Sequence, residues 1–300
     1  SNTEPDFEHN ILLGANGSYD DRSSNAYANP PDSLTDDEME KHFAADAAFE
    51  ATFVSSPAVV NAGLGPLFVN NACTACHIKN GRGLPKVGFG PGGSHLLIRV
   101  SQSIGDPIVP GGSIPVPGLG TQLQDHSIFG TDPEVSIDLS WEEIPGKYGD
   151  GETYSLRKPI FKITKADGTP LGEDIMTSAR IPSTIIGLGL LDAIPEEAIL
   201  ANADPGDRNK DGISGRANYV WDVVANKKAL GRFGWKANEP NLIQQTADAY
   251  FNDMGVSNPL AIAENNVLDI DYEILEVTAF YTKSVAVPTR SFTLGDEVKN

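Results

Sequence analysis

Cysteine is almost missing from this 300-residue chain: there are two, Cys73 and Cys76, three positions apart. Two thiols cannot build the multi-bridge framework that holds small secreted domains together. Basic side chains are scarce as well, 22 Lys and Arg against 41 Asp and Glu, for a net charge of −19. A surface of that sign repels phosphate backbones and anionic lipid, so nucleic acid is excluded as a partner. It suits a basic redox partner, a divalent cation, or plain solubility. Long apolar runs are also lacking. No stretch approaches the roughly 20 residues that span a bilayer as a helix, and no repeat or low-complexity tract is visible. No secretory leader is seen and Ser1-Asn2 reads as an expression remnant, so the expectation is a soluble, mature stretch. At 40% hydrophobic content, 300 residues can fill one large core or two smaller ones.

The two cysteines stand in Cys73-Thr74-Ala75-Cys76-His77, a C-x-x-C-H pattern. Each thiol can add to one vinyl group of a haem, and the adjoining histidine then falls under the iron as an axial ligand. Two other chemistries compete. A thioredoxin-like dithiol normally opens a helix after a strand, whereas Gly63-Leu64-Gly65-Pro66-Leu67-Phe68 here reads as a turn and a short helical start. Structural zinc needs four ligands; this motif offers three, and His9, His42, His95 and His126 are scattered singly.

Along the chain, residues 1–32 are polar and rich in Asn, Ser, Asp and Pro, and read as a flexible N-terminal arm. Ser33 reads as the N-cap of a helix reaching about Thr52, with Phe43, Ala47, Phe49 and Phe53 on its apolar side. Glycine and proline dominate from 81 to 120 apart from a short strand at Leu96–Val100. Thr153–Ile163 alternates as a strand, an edge strand because of Pro159. Helices are expected at 195–201, at 241–254 with Gly255 closing the last, and at 271–284. The spacing predicts a mainly α fold, with long irregular loops and a few short strands.

Asp207, Asn209 and Asp211 alternate before Gly212, whose turn lets the Ile213 carbonyl face the same centre. This is the first half of a calcium loop. Asn218 stands where a bidentate glutamate would complete it, leaving Asp204 or water to finish the shell. An Asx-rich surface turn has the same composition.

Several ordered segments resemble a known family. Gly63–Phe68 leads to the Cys pair and Gly81-Arg82-Gly83, and Gln122-Leu123-Gln124-Asp125 comes later. Ile186–Pro195, Asp211–Arg216, Leu230–Ala237, Gln245-Thr246-Ala247 and Asn252–Gly255 follow in order. From about Leu34 to Arg290 the chain resembles the bacterial di-haem oxidoreductases, also labelled thiol oxidoreductases and related to di-haem cytochrome c peroxidases. The resemblance implies a cytochrome c-like helical haem domain over 33–290, covalently bound haem c, and a periplasmic or otherwise exported location. It also implies a second C-x-x-C-H after a segment like Leu294-Gly295-Asp296-Glu297. No third cysteine exists, so 291–300 reads as the start of a truncated second haem module.

The implied activity is redox chemistry on peroxide or another small oxidant, with His77 on the haem iron and Gln124, Arg232 and Trp235 as catalytic candidates. Gln122 and Arg180 are further candidates on the same grounds. Met254 is the candidate second axial ligand, with Met39 and Met176 as weaker ones. Packing is the competing role for each of these residues. The alternative is a non-catalytic electron-transfer cytochrome, and the expected partner is a redox protein or a second haem domain.

Overall fold

The computed structural model describes residues 14–88, 93–263 and 266–289. In chain order the described elements are β1 (Ser18–Tyr19), α1 (Asp36–Phe49), β2 (Leu67–Phe68), α2 (Cys73–Cys76), β3 (Leu97–Ser101), β4 (His126–Ser127), β5 (Val135–Lys147) and β6 (Thr153–Lys165). Then come β7 (Met176–Arg180), α3 (Leu188–Ala193), α4 (Glu196–Leu200), β8 (Tyr219–Asp222), β9 (Lys227–Leu230), α5 (Leu242–Met254), α6 (Tyr272–Ser284) and β10 (Val287–Pro288).

The expected mainly α class is therefore wrong. Among the described residues helix accounts for 22% and strand for 24%, and the six α-helices are short. The strands pair two by two, as β1–β10, β2–β4, β3–β7, β5–β6 and β8–β9, and all but the parallel β1–β10 pair are antiparallel. The largest is a hairpin with 13 residues on each strand. The strand read at Thr153–Ile163 is real, and both strands of a two-stranded sheet are edges, which accommodates Pro159 opposite Trp141.

Three helices form the floor. In α1 a capping box starts the helix: Thr35 Oγ1 accepts from the Glu38 N–H at 3.3 Å, and the Glu38 carboxylate accepts from the Thr35 N–H at 2.9 Å. Its buried face is His42, Ala45 and Phe49, not the expected Phe43 and Ala47, which are exposed. The face turned because His42 Nδ1 meets Ser284 Oγ at 2.7 Å, a contact a hydropathy pattern cannot announce. In α5 the Asn241 side chain accepts from the Gln244 N–H at 2.9 Å, and Gly255 closes the helix in the left-handed region at φ 65°. In α6 Asp271 caps by accepting from Ile274 N–H at 2.9 Å.

Helices α1 and α5 both pack on α6. One core joins Ala45 and Phe49 to Ile185, Tyr281 and Val285; another joins Phe53, Ala247, Tyr250, Met254, Val256, Ile270 and Leu275. A third core lies under the β3–β7 sheet, with Ile98, Val100, Leu123, Val135 and Ile137 buried together. Of the N-terminal arm, residues 14–32 lie along the chain's other end: Ser18 and Tyr19 pair with Val287 and Pro288, and the Asn29 carbonyl accepts from Ala286 N–H. His9 and the 291–300 segment lie outside the described residues.

Candidate functional site

Helix α2 is a single turn holding both cysteines, and His77 follows as its C-cap residue. Neither cysteine forms a disulfide. Burial, then the Asp253 carboxyl nearby, pushes the Cys73 thiol up to about 12, and the same two causes raise Cys76 further. Such thiols stay protonated near neutrality, which is the opposite of the depressed value a redox dithiol needs. Among the described residues no three His, Cys, Asp or Glu side chains gather to hold a metal ion, so a protein-only zinc centre is not formed.

His77 carries the informative contact. Its Nδ1 lies 2.8 Å from the carbonyl oxygen of Ser183. A carbonyl can only accept, so Nδ1 bears the hydrogen and the Nε2 lone pair is left over. Burial lowers the imidazole's pKa and keeps it neutral, the form in which it ligates. Two thiols on one helical turn beside a histidine with a fixed tautomer fit a covalently held haem. A cleft of about 440 Å³ runs along the same turn, lined by Ala72, Thr74, Ala75, Phe68 and His126 among others.

Beyond the thiols lies a polar wall made by pleat alternation. Ile98, Val100 and Leu123 point into the core, so Arg99, Gln122 and Gln124 point the other way. Arg99 stands opposite Ser178 and Gln122, while Arg180 stands opposite Leu97, which puts both arginines on one face. Helix α5 faces this wall. Gln122 Nε2 donates to Asn252 O and Asp253 Oδ1, both at 2.8 Å, and Gln124 Nε2 donates to Asn252 O at 2.8 Å. Buried atoms are left over on this face: Gln122 Oε1, Gln124 Oε1, Arg180 Nε, Glu239 Oε2 and Gln245 Oε1 have no hydrogen-bond partner. Unpaired buried polar atoms are costly, and these are closed to solvent as well. The residues present thus fit a haem, with α2 and His77 to hold it and a polar wall close by.

Burial raises Glu239 and Asp248, which are close enough to share a proton, and it raises Asp253 too. Glu134 sits at the edge of the wall, where its carboxylate accepts from Gln124 N–H at 2.9 Å, and burial pushes it up to about 7. Arg99, Glu134, Glu239 and Asp248 were not singled out by the sequence. Their signal is tertiary: β3 meets β7 across about eighty residues of chain.

The expected residues divide. Gln122, Gln124 and Arg180 are on the wall; Trp235 is half-exposed with the Arg180 guanidinium 5.9 Å from its ring centroid. Arg232 is elsewhere engaged, donating to the Leu191, Asp192 and Ile194 carbonyls at the end of α3. Met254 is buried in the core that Cys73 also touches; Met176 is exposed on β7 and Met39 lies on α1. In the acidic loop, the Asp207 carboxylate accepts from Gly212 N–H at 3.2 Å, Asp211 Oδ1 accepts from Ile213 N–H at 2.8 Å, and Asn209 Nδ2 donates to Asp211 Oδ2 at 2.9 Å. Asp204 pairs with Arg208 at 3.1 Å.

Comparison with known proteins agrees with the motif. Residues 13–280 match the family described as "Di-haem oxidoreductase, putative peroxidase". No curated protein and no solved structure matches the chain. With that match running over most of its length, the chain belongs to the di-haem oxidoreductase family.

Proposed function

We propose that the chain is a c-type haem oxidoreductase acting on peroxide or another small oxidant, with Cys73 and Cys76 anchoring the porphyrin and His77 Nε2 ligating iron. The observation that carries this reading is the Ser183 carbonyl on His77 Nδ1, which leaves one ring nitrogen available beside two cysteines that share no disulfide. Bound haem supplies one-electron redox chemistry and a coordination position for a small oxidant. The chain supplies the rest. Gln122, Gln124 and Arg180 line the wall that would meet a small polar substrate, and a side-chain shift there would open their unpaired Oε1 and Nε atoms to it. Glu134, poised near neutrality and bonded to the Gln124 N–H, takes up and returns a proton at the edge of the wall. Trp235 shields Arg180 from one side.

A pyridine haemochrome spectrum with intact mass on protein from an exporting host tests this. The expected result is one covalent haem and two cysteines that resist alkylation; a bare polypeptide mass with alkylatable thiols overturns it. One observation favours the electron-transfer alternative: Met254 lies in the core that Cys73 touches, so its thioether would be a candidate to hold the iron together with His77. A six-coordinate low-spin ferric spectrum that ignores cyanide selects that reading, and a high-spin spectrum with cyanide binding selects the oxidoreductase. The same reading places the protein in the periplasm or another exported compartment, with a redox protein or second haem domain as electron source.

The 207–213 loop is proposed to hold a structural Ca²⁺ through Asp207, Asn209, Asp211 and the Ile213 carbonyl, oxygen donors suited to a hard cation. A chelator is expected to lower the melting temperature, and Asp211→Ala to abolish that shift. A melting curve indifferent to chelator removes the ion from the account.

A further inference from the structure

The β5–β6 hairpin projects farther than its own packing explains. Its base is held by Val135, Ile137, Phe161 and Ile163 in the core below β3. Outward from Ser140 almost every residue of both strands is exposed. A two-stranded ribbon in water is marginal unless one of its faces is covered.

The pleat gives the ribbon two faces. One carries the buried base and then Trp141, over which the Arg157 guanidinium lies at 5.0 Å, so this face is anchored to the body at its base. The other bears, from base to tip, the cross-strand pairs Asp138–Lys162, Ser140–Ile160, Glu142–Lys158, Ile144–Leu156 and Gly146–Tyr154. Its apolar side chains stay open to solvent: Leu156 is 60% exposed, Ile144 44%, Ile160 41% and Tyr154 37%. Ile144, Leu156 and Tyr154 form an apolar patch at the tip, set off from Ile160 by the Glu142–Lys158 pair, and an open apolar patch rimmed by charge marks an interaction surface.

Charge identifies the occupant. Residues 135–165 carry five acidic and five basic side chains, so the whole net charge of −19 lies elsewhere. This ribbon is thus a neutral projection where two copies of an acidic protein can meet with least repulsion. On its open face every acid is on β5 and every base on β6. A two-fold axis parallel to the strands lays β5 of one copy over β6 of the other at the same height. Glu142 then faces the other copy's Lys158, Asp138 its Lys162, and Ile144 its Leu156. An axis across the strands would instead set acid on acid. Val135, Ile137, Phe161 and Ile163 at the base turn to the body from the face opposite to the second copy.

We propose that the open face of this hairpin docks a second copy of the chain, the two ribbons stacking in parallel about a two-fold axis. The face is about 30 Å long and 10 Å wide, so two copies bury about 600 Å² in total, below the size of a stable specific interface, and the dimer is weak and depends on concentration.

Sedimentation equilibrium of the whole chain, up to about 100 µM, is the test. The expected result is a monomer–dimer equilibrium that Leu156→Asp weakens at least about tenfold with an unchanged melting temperature. Glu142→Lys and Lys158→Glu, each alone, should be monomeric because like charges now face each other across the axis. Mixing these two variants should restore a heterodimer, which a merely misfolded ribbon would not do. A chain that stays monomeric to the highest concentration overturns the proposal and leaves the face to a different protein. A dimer untouched by Leu156→Asp, or no complex on mixing, overturns it equally.

Discussion

At Gly65 the chain passes so close to the end of α5 that a side chain has nowhere to go. A Cβ there would lie 2.6 Å from the Gly255 Cα and 2.7 Å from its carbonyl oxygen, both backbone atoms that cannot swing aside. The approach fixes the segment leading to the cysteines, because the Gly65 N–H donates to the Met254 carbonyl at 3.0 Å. Gly65→Ala should cost about 1–3 kcal/mol or more, as overpacking does, read as a lower denaturant midpoint at unchanged slope. An unchanged midpoint would mean that the two loops part without loss. Both glycines were visible in the sequence as parts of ordered motifs, but only Gly255 had a readable reason, the end of a helix. The reason for Gly65 is a neighbour nearly two hundred residues away. The same holds for His77. C-x-x-C-H announces the ligand, yet the Ser183 carbonyl that selects its free nitrogen is invisible until the fold joins them.

Elements whose ends are marked by local chemistry were legible. Asn241 and Asp271 both cap the helices predicted after them, and the helix expected from Ser33 begins two residues later because Thr35, with Glu38 in reach, makes the better box. Thr35→Ala removes an acceptor for the Glu38 N–H and should cost about 1 kcal/mol, measured as a fall in melting temperature that Thr35→Ser does not reproduce. An equal fall in both variants would place the effect outside the cap. Strand β5 was missed although Val135, Ile137, Leu139 and Trp141 alternate, and its partner was found alone. Alternation in one strand shows a face; only the partner shows a ribbon. The mainly helical expectation came from apolar spacing and the family resemblance together, and the two-stranded sheets correct it.

Across the whole molecule, burial works against the formal charge. Glu134, Glu239, Asp248 and Asp253 are all raised, so part of the −19 is absent from the folded protein near neutrality. For Glu134 the consequence can be followed in sign. Unfolded, it releases its proton near its ordinary 4.5; folded, it holds the proton up to about 7. Between those values the folded chain binds more protons, so its contribution is greatest below 4.5 and is lost as pH rises through 7. His42 runs the other way: burial lowers its pKa, so folding is opposed as pH falls below 6.5. Below 6.5 the two contributions oppose each other, and above it Glu134 acts without His42, so the melting temperature should fall as pH rises from 6.5 to about 7. Glu134→Gln keeps an oxygen for the Gln124 N–H but has no proton to lose, so it should flatten that decline. If the decline keeps its slope in that variant, Glu134 is ionised in the folded state and cannot be the group that carries a proton at the wall.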